Sequence, residues 1–407
     1  MTTNGSAELL ADAQRLLPEM VEVRRRIHRA PELGLNLPNT QATVLDSIDG
    51  LGLDVSTGDS VSSVVADLDG GEGPVVLLRG DMDALPMPED TGLEFASSID
   101  GCMHACGHDA HTAMLIGAAR LLHARRAELP GTVRFMFQPG EEGHHGARYM
   151  IEEGVLDGDA PVDAAFALHV SPNLPSGTIW TRGGPLMASA DVLEIRVTGK
   201  GGHASSPYLA NDPMPIAAEV VQALQVMATR RINTFDPVVV TITKIRAGTA
   251  DNVIPETVDM LGTLRAVSEH SREIAIDAMG QLVEGIAGAH GMRAALTVHQ
   301  GYPVTINDDE SASFALRVAS DLLGTDGAGQ MPAPVMGAED FSYVLQRRPG
   351  AMSFLGVCPP GEHPARAHAC HSNRMMLDED AMTVGAAMYA AMAIEYLALG
   401  GSGAPSR

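Results

Sequence analysis

The chain has 407 residues, with 27 Lys plus Arg against 51 Asp plus Glu, a formal charge of −24 with neutral histidines. That balance argues against a nucleic-acid binder, which needs clustered basic residues to neutralise phosphates. A hydrophobic content of 45% with 19% charged residues sits near the globular average, so a sizeable core is available, and the length suggests two domains, or three.

Four cysteines (Cys102, Cys106, Cys358, Cys370) are too few for a disulfide scaffold in a chain of this length. Residues 1–15 are polar and acidic, without the basic start and apolar run of a secretory signal. The longest weakly polar stretch, residues 381–394, falls short of the roughly 18 apolar residues that a spanning helix needs. The expectation is a soluble cytoplasmic protein with neither membrane nor nucleic acid as partner.

The spacing of Leu9, Leu10, Leu16, Leu17, Met20, Val21 and Ile27 predicts a helix over 7–29 with a break or kink at Pro18. A second short helix is expected over 39–48. Short β-branched or apolar runs at 63–68, 75–79, 132–138 and 163–170 read as strands, with a helical pattern over 109–126 between the second and third. Strands alternating with helices point to a mixed or mostly parallel sheet covered on both faces.

From Asp191 the character shifts. A strand at 192–198, a glycine-rich stretch at 199–202, a helix over about 213–230, strands at 238–245 and 257–267, a helix to about 289 and a strand at 294–299 follow in turn. This is the βαββαβ order of a ferredoxin-like unit. The chain then returns to a helix (311–323), a glycine-rich loop, a helix near 340–346, a strand (351–357) and a C-terminal helix from Asp378, with a Gly-Ser tail after Leu399. The expected architecture is an α/β domain formed by 1–188 and 300–407, interrupted by a smaller α+β domain at 189–299.

The densest chemical cluster is Gly101-Cys102-Met103-His104-Ala105-Cys106-Gly107-His108-Asp109-Ala110-His111. Cys106 and His108 straddle one glycine, so a thiolate and an imidazole can converge where the backbone turns. This is the strongest local metal signal in the chain, although a zinc finger would need a second close pair and the next cysteine is Cys358. A second element, Gln138-Pro139-Gly140-Glu141-Glu142-Gly143, follows an apolar strand and presents adjacent carboxylates. One can ligate a cation while the other faces its water, which suits hydrolysis. Taken alone, the pair reads equally as an acidic turn feeding a helix N-terminus.

His169 ends the apolar run 164–170, and His371 lies in His368-Ala369-Cys370-His371-Ser372, with His363, His368 and Cys370 as nearby rivals. Either histidine alone reads as structural. Position changes that reading, because strand C-terminal ends in an open α/β sheet share one crevice, and Cys106, His108, Glu142 and His169 all fall there. Asp81 and Asp83, at the end of another apolar strand, would share a face by strand alternation. They could hold a ligating imidazole in its working tautomer, or form a solvated acidic turn before Pro86.

These motifs, together with Gly199-Lys200-Gly201-Gly202-His203-Ala204 and Gly337-Ala338-Glu339-Asp340-Phe341, resemble the M20 metallopeptidase family over about residues 25–392. Within it they are most similar to the amidohydrolases that cleave N-acyl amino acids, such as hippurate and auxin-conjugate hydrolases. The resemblance implies a mixed-sheet, zinc-peptidase-like catalytic domain and an inserted ferredoxin-like lid or dimerisation domain, hence a homodimer. It implies that Cys106, His108, Glu142, His169 and His371 are metal ligands, that Glu141 is the general base, and that Asp83 supports catalysis.

Five protein ligands are too many for one tetrahedral catalytic site that must keep a place for water, so two divalent metals per subunit fit better. Sulfur and imidazole favour zinc, and the carboxylate leaves room for manganese, cobalt or nickel. In relatives the histidine matching His203 reaches the partner subunit's active site, where it can stabilise the oxyanion. Asn252 and Arg265 match lid residues that contact substrate, and a guanidinium suits an amino-acid carboxylate. The implied activity is hydrolysis of an N-acyl L-amino acid to a carboxylic acid and a free amino acid. The alternatives are a dipeptidase or carboxypeptidase of the same family and, from another class, a non-catalytic ligand-binding homologue.

The chain departs from the family's usual residues in three places. Gly140 replaces an alanine, His144 and His145 stand where glycines are common, and 372–376 lacks the usual proline and aromatic. The first two changes could alter the pocket floor or add a further metal site.

Overall fold

The computed structural model describes residues 3–158 and 160–401; most of the Gly-Ser tail after Leu399 lies outside them. The chain divides into two units: one formed by residues 1–184, 306–333 and 340–407, the other by 185–305 with 334–339.

The first unit opens with α1 (Thr3–Arg29) and α2 (Pro38–Ile48). Pro18 lies inside α1, which runs through it without a break. The proline forfeits one helix hydrogen bond. Burial of Leu9, Ala13, Leu17 and Met20 offsets that loss and holds the helix together. There follow β1 (Asp54–Thr57), β2 (Val64–Asp69), β3 (Val75–Asp81), α3 (His108–His123), β4 (Thr132–Gln138), α4 (Gly146–Glu152), β5 (Ala164–Ser171) and β6 (Ile179–Thr181). The short exposed β1 carries no apolar alternation, so no sequence pattern announces it.

In the second unit, β7 (Asp191–Thr198), α5 (Pro213–Arg230), β8 (Val238–Arg246), β9 (Thr257–Ala266), α6 (Glu269–Ala289) and β10 (Arg293–Gln300) follow the βαββαβ order. They form an antiparallel sheet in the order β8-β9-β7-β10. Alternate residues of β7 are buried, the pattern of a sheet with helices on one face. Asp212 caps α5 by accepting the Met214 N–H, and Ser268 caps α6 by accepting that of Ser271.

The chain returns to the first unit through α7 (Asp309–Leu323), β11 (Ala328–Gln330), the short helical turn Ser342–Leu345, β12 (Gly350–Gly356) and α8 (Met382–Ala398). The mixed eight-stranded sheet has the order β1-β2-β4-β3-β5-β12-β6-β11. Its centre is parallel, β4 with β3, β3 with β5 and β5 with β12, so these strands end at one edge. β3 and β12 are buried at every position, which explains their nearly unbroken apolar sequences.

The C-terminal helical stretch is longer than the apolar run read from the sequence. Residues 379–398 are long and apolar enough, by length and composition, to cross a membrane, yet most of that surface is buried inside the first unit. Tyr389 shows why: its hydroxyl donates to the Arg79 carbonyl at 2.6 Å and accepts the Leu168 N–H at 2.9 Å, tying the helix to β3 and β5.

Candidate metal centre

The strand ends of the first unit supply the site. Gly107, with φ of 90°, turns the chain into α3, and a Cβ there would fall 2.4 Å from Val170 Cγ2. Only glycine lets this loop press against β5. That approach places Cys106 Sγ 3.4 Å from His169 Nε2.

His108, the first residue of α3, is fully buried. Its Nδ1 lies 3.5 Å from Asp83, and its Nε2 lies 3.5 Å from Asp81 and 4.0 Å from Glu142. Neither nitrogen has a hydrogen-bond partner, an arrangement a buried imidazole tolerates poorly. Against desolvation, the charges of Asp81, Asp83 and Glu142 push its pKa up to about 10. The surroundings of this ring therefore call for positive charge.

His169 behaves differently. Its Nδ1 donates to the Val170 carbonyl at 2.7 Å, which leaves the Nε2 lone pair facing Cys106. Burial and then the nearby His111 push its pKa down to about 3, so the ring is neutral, as a ligand must be.

β4 ends at Gln138, and Gly140, with φ of 71°, turns the Glu141-Glu142 pair inward. Oδ1 of Asp83 accepts the Glu141 N–H and its Oδ2 accepts the Glu142 N–H, both at 2.9 Å. Strand alternation does not relate Asp81 to Asp83, because β3 stops at Asp81. Both acids are buried, so the solvated-turn reading fails. Despite burial, Arg79 and then His108 and His111 hold the Asp81 carboxyl well below the usual carboxylate range.

His371 takes a left-handed backbone, φ 68°, and its N–H donates to the Ala105 carbonyl at 2.8 Å. This pins it over the cysteine loop, with Nε2 3.1 Å from Glu142 Oε1. The Glu142 carboxylate beside it raises the pKa of His371 above its ordinary value.

The five expected ligands sort into two triads. The ligand atoms of Cys106, His108 and His169 lie within 4.8 Å of one another, and so do those of Cys106, Glu142 and His371. Cys106 belongs to both. The neighbouring Cys370 thiol, burial and Glu142 push the Cys106 thiol well up, so a thiolate there needs an adjacent cation. Sulfur, imidazole and carboxylate donors around orphaned ring nitrogens form a set that fits divalent metal. Asp81, His108 and His111 also lie within ligating range of one another, as do His108, Glu141 and Glu142.

His203, Asn252 and Arg265 belong to the second unit. Gly202–His203 pairs with Val253–Ile254, and the exposed His203 accepts the Ser205 N–H at Nδ1, 3.2 Å away, which puts the ring proton on Nε2. The Asn252 carbonyl accepts the Ala204 N–H at 3.0 Å. Arg265 is half-buried with Nη1 lacking a hydrogen-bond partner, and desolvation lowers its pKa.

The changes at 144 and 145 do not build a metal site: among the described residues, neither histidine joins a group that could hold an ion. His145 sits at φ 59° with Nδ1 3.0 Å from the Tyr343 hydroxyl.

Sequence reasoning missed the polar core beneath the site. Arg79, fully buried, donates to Gln138 at 2.9 Å, Asp81 at 2.7 Å and Asp340 at 3.0 Å. Asp340 also accepts from Gln138 at 2.7 Å and from the Ala147 N–H at 2.9 Å. The available signal was an arginine in the middle of an otherwise apolar strand, which only buried acids could explain.

Comparison with known proteins agrees with this class of site. The chain belongs to peptidase family M20/M25/M40, whose profile matches residues 77–395. It is an enzyme of the dinuclear metal hydrolase kind. An N-acetylcysteine deacetylase of Bacillus subtilis is 40% identical over 380 residues, covering 92% of this chain and 96% of that protein. Thermostable carboxypeptidase 1 of Saccharolobus solfataricus is 38% identical over 394 residues, covering 96% and 98%. Among solved structures, a dinuclear metal-binding peptidase of the M20 family from Bacillus subtilis superposes with a TM-score of 0.81 at 36% identity, covering 94% of this chain and 99% of that one.

Proposed function

We propose that this protein hydrolyses the amide bond of N-acyl L-amino acids, releasing a carboxylic acid and a free amino acid. The observation that carries the reading is the pair of triads sharing Cys106, with the buried Glu141 beside them and its N–H clamped by Asp83. Cys106, His108 and His169 would hold one divalent ion, and Cys106, Glu142 and His371 the other, with zinc favoured over manganese, cobalt or nickel by the thiolate and imidazoles. When bound, the pair supplies Lewis acidity and lowers the pKa of water.

The chain's own residues do the rest. Glu141 takes the proton of the attacking water and returns it to the departing amine. Asp83 holds the Glu141-Glu142 turn at its angle. His203, with its ring proton on Nε2, donates to the oxyanion in the site of a partner subunit within a homodimer formed through the inserted unit. Asn252 and Arg265 bind the amino-acid carboxylate, for which the orphaned Nη1 of Arg265 is suited. We place the enzyme in the cytoplasm, where the thiol of Cys106 would stay reduced.

A carboxypeptidase or dipeptidase reading is favoured by the carboxypeptidase relative, since the scissile amide is chemically the same. The experiment is a panel of acetyl-, benzoyl- and indolyl-acyl amino acids and dipeptides with metal-loaded protein. The proposal expects chelator-sensitive hydrolysis of the acyl amino acids and a 10²- to 10⁴-fold loss in Glu141→Gln, roughly the share of a general base. Clear dipeptide preference would transfer the site to the second reading. Ligand binding with no turnover in either form would point to a non-catalytic homologue.

A further inference from the structure

His111 lies in ligating range of Asp81 and His108, yet both its ring nitrogens are already engaged. Nε2 accepts the backbone N–H of Val170 at 2.8 Å. A backbone N–H can only donate, so that nitrogen carries a lone pair and the ring proton sits on Nδ1. Nδ1 in turn lies 2.5 Å from Asp81 Oδ1, and the other oxygen of Asp81 is held by Arg79 at 2.7 Å.

The ring is fully buried between the two imidazoles of the first triad. It stacks on His108 at 5.4 Å and 29°, the i and i+3 positions of one helix face, and meets His169 edge-on at 4.7 Å and 65°. Val170 connects it to His169 a second time. The residue whose N–H is fixed by His111 has its carbonyl fixed by His169 Nδ1, at 2.7 Å. Glycine at position 80 lets β3 run close beneath the His111 backbone: a Cβ there would approach the His111 carbonyl oxygen to 3.1 Å.

We propose that His111 is a positioning residue and not a metal ligand: it relays the Arg79-Asp81 pair to Val170 and sets the angle and free nitrogen of His169 toward the ion shared with Cys106. This rests on the ligand set proposed above. A metal-ligating imidazole is usually held by a carboxylate, a backbone carbonyl or a water on its other ring nitrogen. Here the carbonyl of Val170 holds the His169 ring, and His111 acts on it through the N–H of the same residue.

The test uses whole protein loaded with ¹¹³Cd and labelled with ¹⁵N-histidine. His108 and His169 should show cadmium coupling, while His111 remains uncoupled and protonated at Nδ1; coupling to His111 overturns the proposal. In parallel, His111→Gln keeps an acceptor for the Val170 N–H, and His111→Phe removes it. Both should still bind two ions at saturation, with affinity for one ion weakened about tenfold in the glutamine variant and towards 100-fold in the phenylalanine variant. Wild-type affinity in both, or loss of one ion at saturation, overturns it. If instead His169→Ala binds both ions as tightly as wild type, the underlying ligand set fails, a result separable from either outcome at His111.

Discussion

The carboxylate of Asp83 holds Glu142 by its backbone N–H at 2.9 Å while its other oxygen holds that of Glu141, so one buried acid sets both members of the acidic pair. An asparagine has one oxygen and can satisfy only one of the two. Asp83→Asn should therefore lower kcat about 10- to 100-fold with little change in KM, if Glu142 and Glu141 have the ligand and base roles proposed for them. Steady-state kinetics at saturating metal check this.

Sharing of Cys106 by both triads predicts an asymmetry among ligand variants. Cys106→Ser should weaken both ions, whereas His169→Ala and His371→Ala should each weaken one. Chelator treatment of the wild type should abolish hydrolysis, and adding back a divalent ion should restore it. Metal analysis after dialysis reads the pattern, and equal one-ion losses in all three variants would count against the shared thiolate.

Arg79 is buried and donates to Gln138, Asp81 and Asp340. Arg79→Met strands two buried carboxylates, Asp81 and Asp340, and should cost about 3–5 kcal/mol of stability. Urea unfolding of the metal-free protein measures it. A loss below about 1 kcal/mol would mean that the acids find other partners or take up protons.

His28 sits between Asp109, 2.8 Å from Nδ1, and Glu89, 3.2 Å from Nε2. Burial opposes its charge, but Asp109 and then Glu89 raise its pKa to about 9, and Glu89 itself, despite burial, is lowered to about 2, chiefly by His28. A base whose folded pKa lies above its unfolded value of roughly 6.5 stabilises the fold fully below that value, and the contribution disappears as pH rises through 9. His28→Gln should thus cost about 3 kcal/mol at pH 6 and much less at pH 10. Urea midpoints across that range test it; a gap that does not narrow would assign the loss to packing.

The alternation of apolar runs and helical spacing made most elements legible, because strands and helices buried on one or both faces carry their burial in their sequence. β4 and α5 fall at the predicted residues. β1 did not announce itself, being four exposed residues paired with β2. The unbroken α1 was not legible either, since the cost of Pro18 is local while its compensation comes from burial of that helix's apolar face.

The candidate site shows the same division. Residue chemistry and spacing marked Cys106, His108, Glu141 and Glu142, because a thiolate, an imidazole and paired acids at turns have few other uses together. Sequence alone determined which donors the chain owns and that strand ends present them. It could not say that Cys106 serves two triads, that Asp83 clamps a turn 58 residues away, or that both ring nitrogens of His111, stacked on His108, are already engaged. Those are matters of distance and direction between groups remote in sequence, and only the packing of β3, β4, β5 and α3 decides them.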